Sequence, residues 1–172
     1  MSLRHKIGVV LLVLIGLLIV RIALIGLGVG LQPVTQLGLY TVYFATENKD
    51  YLMPEYRSGE GSVIQRLEAL VEGPRSKQLV SVLPQGTRVI SYQVQNRIVY
   101  VNLNRDFVVN HPGGSLGELV TIYAVVNTLT EMPSIDRVQI LVEGRVIPTL
   151  AGHVEIVRPL QRDRSLIGSS RL

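Results

Sequence analysis

The chain has no cysteine. That excludes disulfides as a source of stability, and it excludes a lipid carried on cysteine, so a lipoprotein anchor is ruled out. Histidine is scarce: His5, His111 and His153 are scattered, with neither HxxxH nor HxH spacing, so no metal-ligand set can be read. Neither GxGxxG nor GxxxxGKS occurs to cradle a phosphate. Gly26, Gly28 and Gly30 belong to an apolar stretch with no basic or helical phosphate site after them. No internal repeat is present, and no cofactor is implied.

Acidic residues are missing from the first 31 positions, which hold Arg4, Lys6 and Arg21. Four more basic residues (Arg158, Arg162, Arg164, Arg171) lie in 158–172 against Asp163 alone. Residues 32–157 therefore hold ten of the seventeen basic residues against twelve of the thirteen acids. The sequence pI near 9.6 thus comes from the two ends. The folded part is slightly acidic, and nucleic-acid binding loses the basic footprint it needs.

What is present is a long apolar run. Ile7 to Val20 is fourteen residues without a polar side chain, and from there to Leu31 only Arg21 is charged. At roughly 1.5 Å per residue, 7–31 is long enough to cross a ~30 Å hydrocarbon core. Arg21 would lie towards the far interface, where its stem can snorkel outward. The basic residues before the run keep the N-terminus cytoplasmic. The expectation is a cytoplasmic segment 1–6, a transmembrane anchor 7–31, a linker 32–38, a domain 39–157 and a flexible basic tail 158–172. A signal peptide is the competing reading of 7–31, but no clear Ala-x-Ala cleavage site appears.

Within the domain, Leu39–Thr46 (LYTVYFAT) is dense in β-branched and aromatic residues and predicts a first strand. Tyr51–Tyr56 is a weaker extended piece that Pro54 confines to an edge. Ser62 and Gln65 predict a capping box opening a helix, with Val63, Ile64, Leu67, Leu70 and Val71 on its apolar face and Gly73-Pro74 ending it. Leu79–Leu83 is short and apolar. Thr87–Gln95 and Arg97–Leu103 predict a hairpin around Asn96. A second helix follows Gly113-Gly114, with Leu116, Leu119, Val120, Tyr123, Val126 and Leu129 as its apolar face and Pro133 after it. Arg137–Glu143 predicts a closing strand. The order predicts an α+β two-layer sandwich, both helices on one face of a small sheet.

Gly113-x-Ser115-x-Gly117 matches a nucleophile-elbow pattern, and Asp136 or Glu143 followed by His153 completes the order serine, acid, histidine. The preceding strand, however, ends near Leu103, ten residues and a proline upstream. A capping box of Ser115 with Glu118 accounts for more of these residues, so no catalytic, cofactor-binding or metal residue is assigned. The serine hydrolase stands third among the functional readings. His111 reads as a surface loop residue and His153 as a turn or strand-end residue.

The runs Ala69–Pro74 (ALVEGP), Leu83–Thr87 (LPQGT) and Val101–Phe107 (VNLNRDF) resemble the GerMN domain family of sporulation and spore germination. Ser115–Glu118, Thr128–Thr130 and Val138–Gly144 resemble its second helix and closing strand. The likeness covers about residues 40–150. It implies a β-α-β-β-α-β module similar to ring-building motifs, acting outside the cytoplasmic membrane. A two-domain relative in spore formers helps assemble an envelope channel between two cells. The family brings no catalytic residues. This chain departs in having one domain, an apolar anchor in place of a lipidated cysteine, and Asn102 where Asp is commoner. The expected function is a non-enzymatic, membrane-anchored interaction module on the outer side of the cell membrane. Its expected partners are the membrane through 7–31, and envelope proteins or a second copy through sheet edges and the second helix. The alternative is a domain binding a wall fragment or small solute, with Tyr40, Tyr43, Tyr51 and Tyr56 lining a groove.

Overall fold

The computed structural model describes residues 3–26 and 38–168. The chain divides into two units, one holding helix α1 (Leu3–Gly26) and the other everything from Leu37 onward. Helix α1 is continuous over 24 residues, and the side chains from Val10 to Val20 are all exposed. Among the described residues no helix is long and apolar enough to cross a membrane. The transmembrane span expected at 7–31 is therefore not shown. Residues 27–31, and the linker up to 37, lie outside the described residues.

The second unit is mixed α/β, but it has two sheets where one was expected. The first has the order β2-β1-β3, formed by β1 (Leu39–Thr46), β2 (Leu52–Ser58) and β3 (Leu79–Val80). Val42 to Ala45 are all buried, as a central strand covered on both faces requires. Pro54 sits opposite Tyr43 on edge strand β2, where its missing N–H costs no ladder bond. The second sheet has the order β4-β5-β6-β7, formed by β4 (Val89–Gln95), β5 (Ile98–Leu103), β6 (Arg137–Val142) and β7 (Leu160–Gln161). β4 and β5 form the expected hairpin. Asn96 and Arg97 both take positive φ (51° and 62°), the geometry of a two-residue turn whose twist suits the flanking strands. β5 and β6 run parallel, with α3 (Asp106–Val109) and α4 (Ser115–Leu129) in the connection between them.

Helix α2 (Val63–Glu72) begins at the expected capping box. The Gln65 amide donates to Ser62 Oγ at 3.4 Å, and the Ser62 amide donates to Gln65 Oε1 at 3.2 Å. α4 packs against β1 of one sheet and β6 and β7 of the other, and also against α2. It is consequently buried from Ala124 to Leu129 without interruption. The one-sided apolar face expected for it does not hold, and Leu116, placed on that face, is exposed.

Two further expectations are corrected. Gly114, not Ser115, is the N-cap of α4, and no side chain caps it. Gly113 and Gly114 take φ of 83° and 84°, which L side chains rarely adopt, and their turn leaves Ser115 exposed as the first helical residue. Residues 158–168, expected as a flexible tail, take up defined positions against the domain. They add β7 to the edge of β6 and then return to β2, where the Leu52 amide donates to the Leu166 carbonyl (2.8 Å) and the Gly168 amide to the Leu52 carbonyl (2.9 Å). Composition predicted fraying, but buried polar partners far along the chain hold the segment down. Residues 169–172 lie outside the described residues.

Candidate functional site

The serine, acids and histidine of the elbow reading do not meet. His153 turns its ring to Glu118, with Nδ1 3.0 Å from Oε2. Asp136 is bound by Arg97 Nε at 2.6 Å, and Glu143 accepts the Arg105 amide at 2.8 Å. Ser115 is exposed and, among the described residues, makes no side-chain hydrogen bond to any of them. Among the described residues no cluster of histidine and acidic side chains could hold a metal.

Glu118 has a different task from the one expected. Its side chain is fully buried and collects the amides of Leu150 (2.9 Å), Ala151 (2.8 Å) and His153 (2.8 Å) as well as the His153 ring. Burial pushes its carboxyl upward, but the amides of the 151–154 turn and the His153 ring outweigh that and hold it at about 2. The carboxylate thus pins the loop after β6 to the start of α4. His111, half-buried beside it, bonds Thr121 Oγ1 at 3.2 Å and accepts the Gly113 amide at 3.0 Å. Burial drives its pKa down, helped by Lys49 and opposed by the Gly117 backbone and the Glu118 charge.

The four tyrosines do not form a groove. Tyr43 is 4% exposed, its hydroxyl shared between Glu131 and Arg162. Burial and the hydrogen bond to Glu131 push it up to about 12, against the pull of Arg162. Tyr40 lies under the Arg66 guanidinium, 5.4 Å from ring to carbon, while Tyr51 and Tyr56 are exposed. A pocket of about 80 Å³ near His111 and an open groove of about 370 Å³ between Val71 and Arg88 have no tyrosine in their walls. The smaller is well below the ~300 Å³ at which ligand pockets begin.

Sequence reasoning missed the buried arginines. Arg57, 2% exposed, reaches Glu55 (2.7 Å), Glu72 (2.9 Å) and the Gly73 carbonyl (2.6 Å), fastening β2 to the end of α2. Arg66 donates to the carbonyls of Gly61, Thr41 and Thr128. Its place three residues after Val63 and four before Leu70, inside the apolar face, was the readable signal.

Among the described residues the longest exposed sheet edge is that of the second sheet at β4. The expected second-helix surface is largely buried, β7 lies along one edge of the second sheet, and the tail touches β2 at Leu52. β4 is an edge strand with no strand paired on its outer side among the described residues, and from Ile90 to Gln95 every residue is exposed. Tyr92 pairs with Val101 and Val94 with Val99, both buried, so these two side chains share the core-facing side of the sheet. They lie beyond the helical cover, 43% and 47% exposed, with Ile90 at 50%. Val89–Gln95 has no charge and no proline, the usual blocks against edge pairing.

The Germane (GerMN) family model, described as sporulation and spore germination, matches residues 41–147. The chain belongs to this family. The tandem GerMN domains of the sporulation protein GerM from Bacillus subtilis superpose with a TM-score of 0.63 at 20% identity, over 81% of this chain and 50% of that one. The chain thus spans about half the length of the tandem protein. The first GerMN domain of the same protein gives a TM-score of 0.60 at 20% identity, over 74% of this chain and 98% of that one. A Clostridium perfringens protein thought to be a lipoprotein gives 0.53 at 26% identity, over 76% and 91%. No curated protein sequence matches. The VNLNRDF run lies at the end of β5 and the start of α3 of this GerMN fold. There Asn102 Oδ1 accepts the Gly144 amide at 2.7 Å, a role that the commoner Asp can also fill.

Proposed function

We propose that this chain is a GerMN interaction module of the cell envelope, anchored by residues 7–31, with the N-terminus cytoplasmic and the domain outside. It works through surfaces rather than catalysis. The observation that carries the reading is the uncovered, uncharged and apolar edge of β4 on a domain whose nucleophile-elbow residues are each engaged elsewhere or exposed. The anchor is argued from the sequence, in which Ile7 to Val20 is apolar throughout and only Arg21 is charged from there to Leu31. The envelope placement is supported by the family's description and by the Clostridium perfringens relative thought to be a lipoprotein.

Two measurements test it. In a chain without cysteine, Arg105→Cys supplies one exposed thiol. A membrane-impermeant maleimide is expected to label it in intact cells; labelling confined to broken cells refutes the outside placement. Cross-linking in membranes of the native organism is expected to join the chain to envelope proteins or to itself. Recovery of the monomer alone removes the interaction reading.

A further inference from the structure

We propose that β4 is a homotypic interface, in which the strand pairs antiparallel with β4 of a second copy about a two-fold axis through Tyr92. This rests on the interaction-module reading and names its partner and surface. The backbone supplies the first argument. Gln95 and Ile98 flank a two-residue turn, so they exchange both hydrogen bonds, and bonded pairs alternate from there. Gln93 and Gln95 are thus committed to β5, while Tyr92 and Val94 aim their N–H and C=O groups at the free edge.

The side chains supply the second argument, because the strand is close to a palindrome in chemistry. A two-fold at Tyr92 sets Tyr92 opposite Tyr92, Ile90 opposite Val94, and Ser91 opposite Gln93. Apolar meets apolar on the core-facing side and polar meets polar on the other. The flanks lie outside the pairing: Thr87 is buried, and Asn96 and Arg97 turn away into the hairpin loop, where Arg97 is held by Asp136. Ile90 itself sits at the irregularity between Val89 and Ser91, so the regular register runs from Ser91 to Gln95 and the Ile90–Val94 contact closes the pairing at its end. Pairing places the overhanging Tyr92 and Val94 of each copy against the other's, covering the apolar side chains that its own helices leave bare.

The experiment uses the full chain in detergent micelles, with the absence of native cysteine making each introduced thiol unique. Ser91→Cys and Gln93→Cys, on differently sized tags, keep the apolar trio intact. Their partners form a non-bonded antiparallel pair with Cα atoms about 4.5 Å apart, inside the range a disulfide spans. On mild oxidation of the mixture, the mixed 91–93 dimer is expected to exceed either homodimer. Tyr92→Lys, which sets two ammonium groups opposite each other, is expected to weaken association at least about tenfold with an unchanged circular dichroism spectrum. Random pairing of the thiols, or none, overturns the proposal. Self-association that ignores both positions overturns it while leaving the interaction reading standing. So does cross-linking of Cys-bearing β4 to another protein but never to itself. Failure to associate with anything, in micelles or native membranes, sinks both.

Discussion

At the scale of single residues, Glu118 and two serines at helix starts make separable contributions. Glu118 holds the 150–153 loop through its charged form, and its folded pKa of about 2 lies below the 4.5 of the free side chain. The stabilisation is therefore fully present above about pH 5 and is lost as pH falls towards 2. At roughly 1.4 kcal/mol per unit it is on the order of 3–4 kcal/mol. Denaturant titrations from pH 7 to 2 are expected to show that decline in the wild type and a flatter, lower curve for Glu118→Gln; parallel curves count against this account. The two serines separate in the same way. Ser62→Ala removes a true cap and is expected to cost about 1 kcal/mol, whereas Ser115→Ala, exposed and uncapping, is expected to change stability by less than about 0.5 kcal/mol. Equal losses would mean that Ser115 caps after all. From sequence the two positions looked alike, each a serine three residues before Glu or Gln. What separates them is the pair of glycines at positive φ, which sets the helix start one residue earlier.

At the scale of elements, legibility followed the range of the determining interaction. The β4–β5 hairpin, the Ser62 helix start and the edge position of β2 were all readable, because a turn, a cap and a proline act within a few residues. The division into two sheets was not, since β1 chooses β2 and β3 while β5 chooses β6 across an entire helix. The burial of α4 was half readable: its apolar content signalled a core helix, but only contact with both sheets makes nearly every face interior. The candidate site was legible as a class, a sheet edge, yet which edge stays open depends on where the tail goes. That tail was misread because Arg162 finds Tyr43, 119 residues away, and Asp163 finds Asn127, 36 away. Removing residues 160–172 is expected to strip amide-exchange protection from Leu52 while Val99, in the interior of the other sheet, keeps its own. Unchanged exchange at Leu52 would show that the tail contact is dispensable. Arg162→Ala is expected to lower stability by about 1–3 kcal/mol, since it leaves the Glu131 carboxylate without its cation.

At the scale of the whole molecule, charge and apolar surface are segregated. Residues 32–157 are mildly acidic and the basic excess sits at the two ends. Helix α1 exposes apolar side chains from Val10 to Val20. In cloud-point detergent separation the full chain is expected in the detergent-rich phase and residues 38–172 in the aqueous phase. Partition of the full chain into water would remove the anchor.

The closing contact of the tail also sets a clock. Leu52 and Gly168 are joined by a backbone bond but are made 116 residues apart. At about 5–20 residues per second, a ribosome needs roughly 6–23 s to pass from one to the other. Through that interval the end of β2 is without its last neighbour and, once synthesised, β6 waits for β7. The nascent domain therefore carries bare strand edges for seconds, long enough for a holding chaperone, or a premature copy of itself, to reach them first.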